Sequence, residues 1–193
     1  MKSNEPMESR LKRVDMHNFF LDRIDVAMKN ENYIEASWLI YSCFENRFFR
    51  TLQKYKKDCK YCRKKSKCNN KEKNELALAT KIKCVKRLHD NNVTCISEAF
   101  RYDLYEEILE WIDERNGLMH ELLSLEFYEN TDEMFKKSAE NGKRLLDETY
   151  KCCTTFRRLF YAEDYAFKFP EEAMEGCPCK PRKMGNKNEQ TNQ

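Results

Sequence analysis

No proline interrupts residues 7–169 of this chain, although the sequence contains four prolines. The same stretch holds two of the four glycines, Gly117 and Gly142. The strands of a sheet need a turn about every 8–12 residues, and turns depend on Gly and Pro. The sequence therefore excludes an all-β fold, and it excludes glycine-loop nucleotide folds such as the P-loop and Rossmann types. An all-α protein remains.

Apolar residues recur at helical spacing through this stretch, and hydrophobic residues make up 40% of the 193, enough for one core. The first three predicted helices span residues 8–28, 33–55 and 73–89. A fourth begins at an N-cap at Ser97 and continues past Gly117, and a fifth runs from Asn130 or Thr131 to residue 164. They predict a single four- to five-helix bundle over residues 1–168. The polar residues 169–193, which contain Pro, Gly and Asn, are predicted to form a disordered tail.

Asparagine and glycine mark the expected boundaries of these helices. Asn30 and Asn32 are expected to end the first helix, and Asn91-Asn92 predicts a turn after the third. Gly142 is expected to kink or divide the fifth helix. The second helix is apolar around much of its circumference, which is typical of a helix at the centre of a bundle or at a subunit contact.

No apolar run approaches the roughly 18 residues of a membrane span, and the first residues, Met-Lys-Ser-Asn-Glu-Pro, contain no apolar stretch of the signal-peptide type. We therefore expect a cytoplasmic protein without a membrane partner, in a compartment that keeps thiols reduced. The ten cysteines are then interpreted as core residues, metal ligands or free thiols rather than disulfides.

The positive charge of the chain is concentrated in one segment. Residues 54–73 hold ten basic and two acidic residues, a net charge of +8, in a chain whose total is +3, so the remainder carries −5. A dense basic segment on a mildly acidic body favours a polyanion as partner. A solvated, mobile loop is the alternative interpretation.

The basic segment also carries closely spaced cysteines. Cys59 and Cys62 have the Cys-x2-Cys spacing with which two thiolates bind one Zn²⁺, and Cys68 follows. Cys84, with Cys95 or His89 as alternatives, would complete four ligands. A structural zinc site is one prediction, and unligated thiols are the other, because a second Cys-x2-Cys pair is missing.

Arg115, Asn116 and His120 form the most chemically suggestive group of residues. Histidine titrates near neutral pH, and arginine binds phosphate oxygens in a planar fork, so the group suits RNA cleavage without a metal. On a regular helix Asn116 and His120 share a face, whereas Arg115 and His120 lie about 140° apart. They converge only if Gly117 relaxes the helix, if the arginine reaches round, or if a second copy of the chain completes the site.

The other two histidines lack such neighbours. His17 has no acidic or cysteine partner nearby in the sequence, and His89 stands at the end of the third helix, where an imidazole can contact terminal carbonyls. Both are interpreted as structural residues.

The group Arg115-Asn116-x-x-x-His120 resembles the R-x4-6-H motif of the HEPN superfamily (higher eukaryotes and prokaryotes nucleotide-binding). Residues 33–47 are similar to the long second helix of HEPN domains, which precedes the motif helix in a small bundle. The similarity covers approximately residues 8–165, loosely outside these two segments. The basic cysteine-containing insertion at residues 56–73 is not part of the minimal domain.

The resemblance implies a metal-independent endoribonuclease that cleaves RNA by 2′-OH attack and needs no cofactor for catalysis. Arg115 and His120 would take the catalytic positions, and Asn116 would orient them or the phosphate. It also implies a homodimer with two motifs facing one cleft, and a toxin or phage-defence effector with an antitoxin or regulatory partner. Leu122 stands where toxins paired with a nucleotidyltransferase antitoxin often have tyrosine, which disfavours that pairing.

Two further functions remain open at this point. A catalytically inactive HEPN-like helical module could bind RNA or a protein partner, and Lys64, Lys65 and Lys67 would then supply phosphate contacts, as they would for the nuclease. A helical regulator could instead sense metal or redox state through Cys59, Cys62 and Cys68.

Overall fold

A computed structural model of the chain describes residues 7–56, 76–122 and 131–161, and these ranges contain six helices and no strand. The helices are α1 (Met7–Lys29), α2 (Tyr33–Lys56), α3 (Leu78–Asp90), α4 (Thr94–Ser97), α5 (Asp103–Glu121) and α6 (Thr131–Tyr161). The predicted all-α class is confirmed. None of the six is both long and apolar enough to cross a membrane. The predicted insertion beyond Lys56 and the predicted tail lie outside the described residues.

Helix α2 lies at the centre of the bundle. It packs most extensively against α6, and it also contacts α1 and α3. Its apolar residues turn toward all three neighbours, which explains why so much of its circumference is apolar. The buried residues of α2 are Ala36, Ser37, Ile40, Cys43, Phe44, Phe48, Thr51 and Leu52.

The turn between α1 and α2 follows the predicted asparagines. Glu31 adopts a left-handed backbone with φ of 59°, and the Asn32 N–H donates to the Ala27 carbonyl at 2.8 Å, which satisfies the end of α1. The Asn32 side chain then caps α2, because its Oδ1 accepts from the Glu35 N–H at 3.4 Å and its Nδ2 donates to the Glu35 carboxylate at 2.8 Å.

The chain between α3 and α5 differs from the sequence prediction. Asn92 makes the predicted turn, with φ of 54°, but Ser97 does not begin the fourth long helix. It ends the short helix α4, where its hydroxyl donates to the carbonyls of Val93 and Thr94, both at 3.3 Å. Its place at the end of α4 is incompatible with an N-cap of the next long helix, and α5 begins at Asp103 instead.

The two glycines do not interrupt their helices. α5 continues through Gly117 and α6 continues through Gly142, so Gly142 does not divide its helix. Gly142 instead lets α6 approach the indole of Trp111, since a Cβ at this position would lie 2.7 Å from three indole atoms. Trp111 is fully buried, its Nε1 donates to the Ser138 carbonyl at 2.8 Å, and its ring lies 5.3 Å from that of Phe44.

An ion pair between a buried lysine and a partly exposed glutamate fastens α3 to α2. The Lys81 ammonium donates to Glu45 Oε1 at 2.8 Å, and the Lys81 side chain is only 4% exposed. Leu78, Ile82 and Val85 on the same helix are fully buried in the core. Position and orientation of α3 are therefore set by its contacts with the rest of the bundle.

The contrast between the two helical glycines predicts opposite effects of alanine on stability. Gly142→Ala should lower the free energy of unfolding by about 1–3 kcal/mol, because the new methyl overlaps the Trp111 indole. Gly117→Ala, with nothing within 4 Å of the added Cβ, should raise it by about 0.5–1 kcal/mol through helix propensity. Denaturant unfolding followed by circular dichroism measures both. Equal stability of the two variants would contradict the packing described for Trp111.

Candidate functional site

Arg115 is buried between α5 and α2. The residue is 6% exposed, and its guanidinium carbon lies 4.5 Å from the Trp38 ring centroid and 5.0 Å from that of Tyr41. Two aromatic faces of α2 therefore hold the cation by cation–π attraction. Burial lowers the pKa of Arg115 from its usual value, and an arginine nevertheless keeps its charge at neutral pH.

The guanidinium is only partly satisfied by hydrogen bonds. Its Nη1 donates to Asn116 Oδ1 at 3.0 Å, whereas the buried Nε and Nη2 have no hydrogen-bond partner among the described residues. No carboxylate of the described residues forms an ion pair with it, in contrast to Arg101 and Arg144, which both lie beside Glu107. Buried N–H groups without partners are rare and costly. Arg115 therefore has two donors that the described residues leave unsatisfied.

Trp111 explains why Arg115 is turned inward. The two residues are four apart on α5 and so share a helical face. The indole is fixed in the core by Ser138 and Phe44, and this sets the rotation of α5 about its axis. Arg115 must then face α2, where Trp38 and Tyr41, three residues apart, present their rings.

His120 lies apart from Arg115. It is exposed in the last turn of α5, and no hydrogen bond joins it to another described residue. Helix α5 continues through Gly117, so the helix does not relax there to bring the two side chains together. The structure thus joins Arg115 to Asn116 and leaves the His120 imidazole at the surface of the same helix, four residues beyond Asn116.

The other predicted site residues are placed only in part. Lys64, Lys65, Lys67, Cys59, Cys62 and Cys68 lie outside the described residues. Cys84, the fourth predicted zinc ligand, is buried on α3. Within residues 7–56, 76–122 and 131–161, no group of three or more His, Cys, Asp or Glu side chains is arranged to hold a metal ion. The zinc site stays a prediction.

His89 packs against tyrosines of the α5 end of the bundle. Its ring lies edge-on to Tyr102 at 5.2 Å and to Tyr105 at 5.6 Å between centroids, and its Nδ1 lies 3.4 Å from the Tyr105 hydroxyl. Burial lowers the pKa of His89 below its usual value, although nearby Asp90 acts in the opposite direction. Aromatic packing, rather than contact with terminal carbonyls, occupies this imidazole.

Sequence reasoning missed the two aromatic residues that hold Arg115. Both belong to the apolar residues that surround much of the second predicted helix, whereas Trp38 is 55% exposed and Tyr41 is half-buried. Their three-residue spacing places them side by side on the helix surface. Tyr41 lies about 20° from Phe48 around the helix axis, so the pair extends the apolar stripe of α2 toward solvent. An aromatic pair at the edge of this stripe was the available signal.

Comparisons of the chain with protein-family models, with curated proteins and with solved structures find no match in any of the three.

The environment of Arg115 predicts that the residue is not required for stability. In Arg115→Met the loss of cation–π attraction, about 1–2 kcal/mol, is offset because two buried N–H groups without partners are removed, at about 1–3 kcal/mol. The free energy of unfolding should therefore stay within about 1 kcal/mol of wild type in urea titrations. A loss above about 3 kcal/mol would show instead that the guanidinium is a structural element of the core.

Proposed function

We propose that the protein is a metal-independent endoribonuclease in which Arg115, Asn116 and His120 act on the RNA phosphodiester. The observation that supports this most is the Arg115 guanidinium, which is buried and charged and has two N–H groups without partners beside Asn116. The resemblance to HEPN nucleases extends the proposal to a toxin or phage-defence effector with a protein partner that restrains it.

The proposed reaction uses only groups of this chain and of the RNA. The 2′-hydroxyl loses its proton to a base, its oxygen attacks the adjacent phosphorus, and the bond from phosphorus to the 5′-oxygen breaks as that oxygen receives a proton. The imidazole of His120 is suited to the proton transfers. The Arg115 guanidinium stabilises the charge that accumulates on the phosphate oxygens. The products are a 2′,3′-cyclic phosphate and a 5′-hydroxyl.

Trp38 supports RNA as the substrate. Its indole is 55% exposed and packs against Arg115, so one side contacts the guanidinium while solvent-facing parts remain open. Bases of single-stranded RNA stack on such aromatic rings, at about 1–3 kcal/mol per base. We propose that a base beside the cleaved phosphate stacks on Trp38 and places the phosphate at Arg115.

The separation of Arg115 from His120 supports a site shared between two chains. On the continuous helix α5 the two positions are about 140° apart, and one side chain is buried while the other is exposed. A two-fold homodimer would place His120 of the partner subunit opposite Arg115. Each cleft would then contain one residue from each chain.

Cleavage is predicted to depend on both residues and not on divalent metal. Purified protein should cut mixed single-stranded RNA in EDTA and leave 2′,3′-cyclic phosphate ends. Arg115→Met and His120→Ala should each lower the cleavage rate by at least about 100-fold, whereas Glu121→Ala, an exposed neighbour of His120, should not. The rates are measured on a labelled RNA by gel. Equal rates for wild type and His120→Ala would refute the nuclease assignment.

Mixing the two inactive variants tests whether the site is shared. A heterodimer of Arg115→Met and His120→Ala chains would contain one cleft with both residues intact, so the mixture should regain a substantial part of wild-type activity after subunit exchange. If both residues act within one chain, no cleft is complete and the mixture stays inactive. Light scattering on the same samples gives the oligomeric state.

The basic segment is proposed to hold the RNA backbone. Reversing Lys64, Lys65 and Lys67 to Glu should weaken RNA binding for all sequences alike and flatten the dependence of affinity on salt, because fewer counterions are released. Cleavage at saturating RNA should be almost unchanged, since Arg115 and His120 are intact. Fluorescence anisotropy at two salt concentrations measures the slope, and an unchanged slope would contradict this role.

The alternative is an inactive HEPN-like module that binds RNA or a protein partner. The exposed, separate position of His120 favours it, since a single chain does not assemble the pair. RNA binding without cleavage, together with equal binding by wild type and His120→Ala, would identify this alternative.

A further inference from the structure

A second polar cluster lies on the other side of α2, where α1, α2 and α6 meet. The Arg47 Nη2 lies 2.6 Å from His17 Nε2, and the Tyr150 hydroxyl lies 3.3 Å from His17 Nδ1. The Arg47 guanidinium carbon stands 4.4 Å from the Tyr150 ring centroid. Tyr150 also acts on Cys43, because it lowers the pKa of that thiol against the larger, opposite effect of burial. The cluster thus joins residues from three helices that are far apart in the sequence.

The cluster is separate from the Arg115 site. Arg47 follows Trp38 by nine residues, which places it about 180° around α2, and it follows Tyr41 by six residues, which places it about 120° away and about 9 Å along the axis. The body of α2 therefore stands between the two groups. A ligand at one site would not contact the other.

Each hydrogen bond of the cluster can be assigned a donor and an acceptor. A guanidinium can only donate, so His17 Nε2 accepts from Arg47 and carries no proton. A neutral imidazole then has its proton on Nδ1, which donates to the Tyr150 oxygen, and the Tyr150 O–H is left to donate to the Cys43 sulfur. Burial, followed by the charges of Arg47, Arg157 and Arg50, lowers the pKa of His17 to about 4, which keeps the ring neutral at pH 7.

Positive charge accumulates around this neutral ring. The charges of three arginines lower the pKa of His17, namely Arg47 and Arg50 from α2 and Arg157 from α6. Among the described residues, no carboxylate lies within ion-pair distance of Arg47 or Arg157. Arg47 also buries an Nε without a hydrogen-bond partner in the described part of the chain. Arg144 on α6 and Arg101, just before α5, behave differently, because both lie beside Glu107.

Arg47 and Arg157, which form no ion pair with a carboxylate of the described residues, are unexpected on a body whose net charge outside residues 54–73 is −5. Repulsion among like charges destabilises the fold unless an anion relieves it. The cluster is accessible to such an anion, since His17, Arg47 and Arg50 are half-buried and Arg157 is exposed. The planar guanidinium of Arg47, whose Nη2 contacts His17 and whose Nε is buried without a partner among the described residues, matches the oxygens of a phosphate.

We propose that His17, Arg47, Arg50 and Arg157 form a binding site for a phosphate group, supplied by free phosphate or by a nucleotide. Arg47 and Arg157 donate to the phosphate oxygens, and His17 becomes a further donor by taking up a proton at Nε2 as the anion arrives. Tyr150 keeps the ring in place by accepting from Nδ1 throughout.

Histidine NMR tests this directly, because the chain has only three histidines, His17, His89 and His120. The His17 resonance is assigned by its loss in His17→Gln. Addition of inorganic phosphate at constant ionic strength should raise the pKa of His17 by about one pH unit, a tenfold gain in proton affinity, while His89 serves as internal reference. An unchanged pKa of His17 would overturn the proposal.

Two arginine variants on α6 provide a matched comparison. Arg157→Gln should raise the pKa of His17 in phosphate-free buffer, because one positive charge is removed, and it should reduce the response to phosphate by at least half. Arg144→Gln, an exposed arginine beside Glu107, should change neither. The proposal fails if phosphate acts on Arg157→Gln as strongly as on wild type.

Adenosine 5′-monophosphate and adenosine distinguish the source of the phosphate. Saturation by the nucleotide at a concentration at least about tenfold below that for inorganic phosphate identifies a nucleotide site, and equal concentrations identify a free-phosphate site. A response of His17 to adenosine alone, equal to that with the nucleotide, would overturn phosphate recognition. None of these outcomes depends on RNA cleavage.

Discussion

The contact of Trp111 with α6 determines the geometry of most of the bundle. The indole donates to the Ser138 carbonyl at 2.8 Å and occupies the space that a side chain at Gly142 would fill. Its other side meets Phe44 of α2. This one side chain thereby fixes α2, α5 and α6 relative to one another, and it determines the rotation of α5 about its own axis. Arg115, one turn further along, is buried as a result.

The polar groups inside this bundle fall into two kinds. Lys81 and Trp111 meet partners that satisfy them, Glu45 and the Ser138 carbonyl. Arg115 and Arg47 do not, since each buries nitrogen atoms without partners among the described residues. An all-helical core satisfies its backbone internally, so such orphaned donors are conspicuous. Both proposals made for this protein depend on those two arginines, one on each side of α2.

The fold class could be predicted from the chemistry of neighbouring residues in the sequence, whereas the geometry of the site could not. The lack of proline and the asparagine pairs predicted helices and two turns correctly, because these features act on neighbouring residues. The start of α5 was predicted wrongly at Ser97, since a serine hydroxyl can bond backward to carbonyls as well as forward to amides. The motif residues Arg115 and Asn116 were found from their chemistry and spacing in the sequence, but the exposure of His120 depends on how α5 is rotated.

The arrangement around His17 shows the same limit at longer range. Its contacts Arg47 and Tyr150 are 30 and 133 residues away in the sequence, and no periodicity within α1 points to either. Only the packing of three helices brings them together. Sequence patterns report which face of a helix is apolar, whereas the identity of the residue across the interface depends on register and crossing angle.

The Lys81–Glu45 ion pair and the buried face of α3 have a consequence for how this chain can evolve. They hold α3 against α2 through contacts that lie entirely within the described residues. The entropic cost of closing the connection between two such helices grows slowly, by about 0.6 kcal/mol for each doubling of its length. A related chain can therefore carry a longer or shorter connection between the same two helices, and such chains can diverge in partner while sharing one scaffold.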